Sequence, residues 1–260
     1  MLRVGNLTFG YSSDDVFSDI GFCARPGEIT AILGANGAGK TTLLKCIAGL
    51  EKAEGSVSIC GSERSSMSRA QVAESLSFLS QNTDGEAELN VFEVILLGRI
   101  QKLSFRVSEE DTKRVEDIME LLSISQFAHR KISELSGGQR QLVFIAQTLI
   151  KDPKVLILDE PTSALDLNKQ FKLMDLIQKI TRERQLTTLV TLHHLDIAAK
   201  YADKVVVLSD KGVYADGSPN EVINETMLRE VYKITSEIYT DALGGRHIVA
   251  VGPAETEENL

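Results

Sequence analysis

The chain has 260 residues, 43% of them hydrophobic and 25% charged, which is the balance of a folded protein with a sizeable core and not of a disordered or low-complexity one. Its 28 Lys and Arg against 37 Asp and Glu leave a net charge of −9, so it lacks the basic footprint of a nucleic-acid binder, and no nucleic-acid partner is expected. No stretch reaches the ~20 mostly apolar residues of a membrane-spanning helix, and even the run 142–150 is interrupted by Gln147. The opening residues 1–10 carry neither the apolar core nor the small-residue cleavage site of a secretory signal, so a cytoplasmic location is expected. Cys23, Cys46 and Cys60 are odd in number and widely spaced, the pattern of plain reduced thiols and not of a disulfide framework or zinc site.

In chain order, the segment before residue 81 reads as short strands, among them 2–8, 29–33 and 57–60, separated by Gly, Pro and Ser turns, with one helix starting at Lys40. From about 82 to 150 the spacing turns helical, at 91–97, at 109–122 behind the acidic opening Glu109, Glu110 and Asp111, and at 139–150. Apolar, β-branched runs at 155–158 and 188–192 flank the 3.6-periodic segment 169–182, as in a βαβ unit with parallel strands, and 205–208 adds another strand. Beyond Gly217, short helices are expected at 220–224 and 225–232, then a weak strand around 248–251 and a polar, acidic, frayed end at 255–260. No internal repeat is found.

Gly34, Ala35, Asn36, Gly37, Ala38, Gly39, Lys40 and Thr41, followed by Thr42, match the P-loop pattern between an expected strand and an expected helix. Glycines let the backbone curl so that N–H groups face phosphate oxygens, the helix N-terminus adds positive potential, and Lys40 supplies a mobile point charge. Thr41 suits Mg²⁺ through its hydroxyl. The apolar strand 155–158 ends in Asp159 and Glu160, which places two acids at the carboxyl edge of a parallel sheet beside the P-loop. Asp159 is expected to hold the metal shell, while Glu160, pointing the other way, orients or deprotonates the attacking water.

Leu135, Ser136, Gly137, Gly138 and Gln139 resemble the signature of ABC-type ATPases and precede the Asp159 strand by one helix. Gln81, closing Ser77-Phe-Leu-Ser-Gln81, resembles the family's Q-loop; Ser163-Ala-Leu-Asp166 resembles its D-loop; Tyr11 resembles its adenine-stacking aromatic. The switch histidine matches His193, although His194 stands where most relatives carry an acid; the downstream Leu195, Ala198 and Asp203 favour His193. The resemblance implies an α/β fold, a P-loop NTPase of the ABC nucleotide-binding type with an N-terminal antiparallel β subdomain and a helical insert. It implies one domain over 1–260, with 1–81 and 151–215 as core, 82–150 as helical subdomain and 216–260 as C-terminal extension. It implies ATP and Mg²⁺ as cofactors, Glu160, His193 and Gln81 in catalysis, and Thr41, Gln81 and Asp159 around the metal. Tyr11, the P-loop residues through Thr42, Ser136, Gly137, Gly138, Gln139 and Asp166 are implied at the nucleotide, the signature closing over ATP held by a second, head-to-tail copy.

Residues 90–99, Asn90-Val-Phe-Glu-Val-Ile-Leu-Leu-Gly98-Arg99, are similar to the corresponding stretch of metal-chelate importer ATPases, which serve ferric siderophores, haem or cobalamin, as are 195–203 and Gly217-Ser-Pro219. An integral membrane permease and, indirectly, a substrate-binding protein are therefore implied partners, with the chain peripheral on the cytoplasmic face of the membrane. Docking is expected through 81–99, so that charge swaps at Glu93 or Arg99 uncouple transport. The alternatives are a soluble ABC ATPase of iron–sulfur cluster assembly, against which the insert argues, and a translation or DNA-repair ATPase.

Overall fold

The structure, a computed structural model, describes residues 1–11, 14–81, 88–100, 107–242 and 245–254. β1 (Leu2–Tyr11) and β2 (Asp14–Ala24) form a hairpin, and β3 (Ile29–Leu33) runs through the Gly-rich loop into α1 (Lys40–Ala48). β4 (Glu54–Ile59) returns to the free side of β1 and carries the short β5 (Ser62–Glu63), completing an antiparallel sheet in the order β2-β1-β4-β5. α2 (Arg69–Ser75) and β6 (Leu76–Leu79) precede three helices, α3 (Val91–Leu97), α4 (Glu109–Leu121) and α5 (Gly137–Leu149). The chain then alternates β7 (Val155–Leu158), α6 (Leu167–Glu183), β8 (Thr187–Thr191), α7 (Leu195–Tyr201) and β9 (Lys204–Ser209), and β10 (Gly212–Gly217) returns antiparallel to β9. A six-stranded sheet results, in the order β10-β9-β3-β8-β7-β6 with its inner strands parallel. α8 (Pro219–Val222) and α9 (Glu225–Tyr232) lead to the separate hairpin of β11 (Ile234–Thr240) and β12 (Arg246–Pro253).

The near-continuous apolar runs of β3, β7, β8 and β9 follow from burial of this sheet on both faces. Successive side chains divide between two cores: Leu156, Leu158, Val190, Val205 and Val207 pack with α3 to α6 and α9, whereas Val155, Ile157, Leu189, Val206 and Leu208 pack with α1 and the antiparallel sheet. A parallel sheet covered this way presents its carboxyl edge as the open rim, and the P-loop and Asp159–Glu160 both lie at that edge. Among the described residues no helix is long and apolar enough to cross a membrane.

The expected strand and helix at 29–33 and from Lys40, and those at 91–97, 155–158 and 225–232, have the expected bounds. β2, β5, β6, β10, β11, α2 and α7 are elements the sequence reading did not name. The expected segment 82–87 of the helical insert and the acidic end 255–260 lie outside the described residues.

Glu93 and Arg99, the two charges singled out for docking, also make contacts within the fold. Glu93 accepts the Asn90 N–H at 2.8 Å while its own N–H donates to Asn90 Oδ1 at 2.9 Å, a reciprocal cap that starts α3. Arg99 donates through Nε to Asp111 Oδ1 at 2.7 Å, with both side chains about one-tenth exposed. The Ser108 hydroxyl foremost, then Arg99, hold the Asp111 carboxyl below its ordinary value against the opposing pull of burial. Arg99→Ala leaves that carboxylate without its cation and is expected to lower stability by about 2 kcal/mol at pH 7, read as a lower urea midpoint. Because the folded value lies below the unfolded one, the pair's contribution is complete above about pH 5. The gap between Arg99→Ala and the parent therefore narrows as pH falls from the ordinary aspartate value of about 4 through the lower folded one.

Candidate nucleotide site

The loop from β3 to α1 is built by backbone conformations that side chains resist. Gly34, Gly37 and Gly39 have φ of +146°, +82° and +84°. At Gly34 a side chain is excluded twice over, since a Cβ there would also meet the Leu208 carbonyl oxygen at 2.6 Å. Asn36 and Gly37 form the exposed tip, Ala35 and Ala38 are half-buried, and the Ala38 N–H closes a turn onto the Ala35 carbonyl at 3.2 Å. Lys40 is buried, 7% exposed, and its Nζ donates to the carbonyls of Gly34 at 2.8 Å and Ala35 at 2.9 Å. Burial pulls the ammonium below its ordinary value, while the nearby Glu160 and Asp159 carboxylates push it back up. A buried cation inside a ring of backbone amides at a helix N-terminus is a phosphate cradle.

Thr41 and Thr42 are the next two residues of α1, both half-buried. The Thr41 hydroxyl donates to Asp159 Oδ1 at 3.2 Å, so the helix start is tied to the end of β7. Thr191, at the end of β8, also donates to Asp159 Oδ1, at 2.8 Å, and its oxygen accepts the Glu160 N–H at 2.7 Å. One threonine therefore fixes both acids. Asp159 is 1% exposed, and among the described residues no hydrogen bond reaches its buried Oδ2. Burial foremost pushes its carboxyl above the ordinary value, the Thr191 and Thr41 hydroxyls pull it down, and the adjacent Glu160 charge pushes it up. A desolvated carboxylate with one oxygen unpaired, beside a threonine hydroxyl, is the donor set that a hard divalent cation takes, so these residues fit Mg²⁺.

Glu160 turns away in a left-handed conformation, φ +49°, a strained choice for a non-glycine that is held by the Thr191 contact. One carboxylate oxygen, Oε2, accepts from Gln81 Nε2 at 2.5 Å, and the other, Oε1, lies 2.5 Å from His193 Nε2. Gln81, Glu160 and His193, the first two of them 79 residues apart in sequence, thus form one row across the sheet edge. His194 faces elsewhere, into a cleft between α7 and β12 with His247 and Arg246, which fits the choice of His193.

Tyr11 is half exposed at the end of β1 where the chain turns into β2, its ring edge-on to Phe9 at 4.8 Å. That hairpin brings Val16 and Phe17 of β2 against Gly39 of the phosphate loop. Ser136 caps α5: its N–H donates to Gln139 Oε1 at 2.9 Å and its hydroxyl accepts the Gln139 N–H at 3.4 Å. Gly138 packs so tightly on Leu165 that a Cβ would fall 2.6 Å from its Cδ2, which couples this helix start to the 163–166 turn. Asp166 caps α6, accepting the Lys169 N–H at 3.0 Å and pairing with Lys169 Nζ at 2.6 Å. Ser136 and Gly137 are exposed, and the hydrogen bonds of Ser136 and Gln139 are made with each other and not with the P-loop. Within one chain the structure thus gathers the P-loop, Gln81, Asp159, Glu160 and His193, and leaves the signature as a solvent-facing helix start. Thr191 was not singled out in the sequence; a buried hydroxyl at the carboxyl end of a strand that carries two more threonines, Thr187 and Thr188, gave little signal.

The ABC transporter family profile matches residues 17–163. The petrobactin import ATP-binding protein FpuD of Bacillus anthracis is 34% identical over 94% of this chain and 90% of its own. The ferric enterobactin transport ATP-binding protein FepC of Escherichia coli is 32% identical over 95% and 93%. Among solved structures, a chain described as a metal-chelate type ABC transporter in an inward-facing conformation superposes with a TM-score of 0.82 at 25% identity, covering 100% of this chain and 99% of that one. The ATP-binding cassette MJ0796, a dimer in a post-hydrolysis state with ADP and Pi, superposes at 0.75 with 27% identity over 84% of this chain and 99% of its own. With a profile across more than half its length and such relatives along nearly all of it, this chain belongs to the ABC transporter family as an ATP-binding, ATP-hydrolysing member.

Proposed function

We propose that this ATPase energises uptake of a ferric siderophore or closely related metal chelate through a separate membrane permease. What carries the reading is the set of relatives named for petrobactin and enterobactin, which align over at least nine-tenths of both chains, together with the metal-chelate type neighbour that covers all of this one. Two copies pair head to tail. Ser136, Gly137 and Gly138 of one, with Asp166 beside them, close over ATP bound in the other, the free N–H groups at the start of α5 meeting the γ-phosphate.

In each site Tyr11 stacks on the base, the P-loop from Gly34 to Thr42 wraps the phosphates with the amides that follow Gly34, and Lys40 moves from its carbonyls onto them. Thr41 and Asp159, with Gln81 at the rim, would hold Mg²⁺, which when bound neutralises charge on the phosphates. Glu160 takes the proton of a water attacking the γ-phosphorus, the bond to the bridging oxygen breaks, and ADP leaves. His193 and Gln81 each hold one oxygen of Glu160, aiming its carboxylate. Loss of the bridging phosphate charge then releases the dimer.

The chain sits on the cytoplasmic face of the membrane and docks to the permease beside α3. There Leu97 and Ile100 are 38% and 63% exposed and border a small cavity with Ala73, Glu74 and Lys151. Burial pulls the Lys151 amine below its ordinary value, a cost that an acidic or carbonyl-rich permease segment relieves. A substrate-binding protein delivers the chelate on the far side. The direct test is deletion of the gene with uptake of labelled ferric siderophores, haem and cobalamin measured in parallel; loss confined to ferric siderophores is expected. Normal uptake of all three, with failing iron–sulfur enzymes instead, would overturn the reading in favour of cluster assembly.

A further inference from the structure

The C-terminal segment reaches the phosphate loop from outside all of the motifs. The buried Gly34 N–H donates to the Tyr232 hydroxyl at 3.0 Å across 198 residues of sequence, while the carbonyl of the same Gly34 accepts from Lys40 Nζ at 2.8 Å. Both backbone groups of the first P-loop glycine are therefore committed, one to the C-terminal segment and the other to the phosphate-binding lysine. Tyr232 is the last residue of α9, whose Met227, Leu228 and Val231 are buried in the main core, so the hydroxyl stands on a rigid support. Burial pushes its pKa up to about 12 against the smaller pull of the Gly34 N–H, so the group stays a neutral hydroxyl. Past Lys233 the same segment forms the β11–β12 hairpin, and there the Ile248 N–H donates to Asp196 Oδ1 at 3.0 Å, in the first turn of the helix that follows His193.

We propose that Tyr232 is a positioning residue of the ATP site, its hydroxyl holding the Gly34 amide so that the loop and Lys40 keep their phosphate-binding geometry. The proposal rests on the ATP site described above. Without this acceptor the buried Gly34 N–H must turn toward another oxygen, and Gly34 cannot shift alone, because Leu208 crowds it and Lys40 is bonded to it. The displacement passes to Lys40 and to the loop amides, where errors well under 1 Å weaken phosphate contacts. The C-terminal extension thereby becomes a part of the nucleotide site, touching the P-loop at one end and the His193-bearing turn at the other.

The experiment is the full-length Tyr232→Phe variant, which keeps the ring and removes the hydroxyl. Its mant-ATP dissociation constant and its ATPase KM are expected to rise on the order of 10-fold, with kcat within about 3-fold of the parent. The nucleotide-free unfolding midpoint is expected to move no more than about 4 °C. Unchanged KM and mant-ATP affinity, or a lowered midpoint with activity falling only in proportion to the folded fraction, would assign Tyr232 a purely structural role and overturn the proposal. Failure of the parent protein itself to bind mant-ATP would instead overturn the site on which the proposal rests. If Tyr232→Phe does not fold, amide hydrogen exchange of the parent decides: the Gly34 amide is expected to exchange at least about 10-fold more slowly than the exposed Gly37 amide. Equal exchange at the two overturns the proposal.

Discussion

Glu160→Gln is expected to bind ATP at least as well as the parent and to hydrolyse it about 10²- to 10⁴-fold more slowly, accumulating as an ATP-bound dimer. The side chain keeps its shape, so its contacts with Gln81 and His193 retain their spacing, but the neutral amide has no lone pair basic enough to take the proton of water. Loss of the negative charge does not weaken binding of an anionic nucleotide, because Glu160 faces Lys40 and its carboxylate opposes the phosphates for that cation. Asp159, with its free Oδ2 and its Thr41 contact, is untouched, so the metal side of the site is preserved. Binding without turnover leaves both nucleotides bridging the two copies, and mass action then holds the dimer. Light scattering with and without ATP is the measurement, and the parent is expected to stay monomeric at steady state. A variant that binds ATP but remains monomeric would refute the head-to-tail pairing, and one that loses ATP binding would refute the division of labour between the two acids.

The parts of this site that were legible in the sequence are those in which a local pattern and a chemical group coincide. The run 29–33 followed by Gly34 to Thr41 shows a strand, a loop and a helix start within thirteen residues, because the glycines that bend the loop are also those that bind phosphate. The strand 155–158 was readable for a similar reason, being apolar on both faces and then abruptly acidic. β2 was not, since Asp14-Asp-Val-Phe-Ser-Asp-Ile-Gly-Phe-Cys-Ala24 has weak strand propensity and is held in place by pairing with β1, with a left-handed Asp19 at an irregularity in the ladder. α2 carried a readable start in Ser68 and Gln71, which cap it reciprocally, but seven residues with Val72 as their one large apolar side chain show no helical period. Arg99 looked like a surface charge because nothing local announces Asp111 as its partner. The Gly34–Tyr232 contact was wholly illegible: it depends on where α9 lands after the entire sheet has formed, and a tyrosine ending an amphipathic helix reads as ordinary core.

Lys40→Ala is expected to reduce ATP turnover by about 10²- to 10³-fold through loss of a charge-assisted phosphate contact made in a desolvated setting. The buried position of the lysine sets the size of the effect, because at 7% exposure the ammonium has little water to share its charge with and is poised to give its full interaction to phosphate. Its truncation also removes the cation that the Gly34 and Ala35 carbonyl oxygens hold ready inside the loop. Affinity and chemistry should therefore fall together, unlike in Glu160→Gln, where affinity survives. Lys40→Arg is expected not to restore activity, since the planar guanidinium is larger than the enclosed ammonium and cannot occupy the same pair of carbonyl contacts. Steady-state ATPase assays with mant-ATP binding on all three variants separate these patterns. ATPase activity of Lys40→Ala equal to that of the parent would refute the phosphate-binding assignment of this loop.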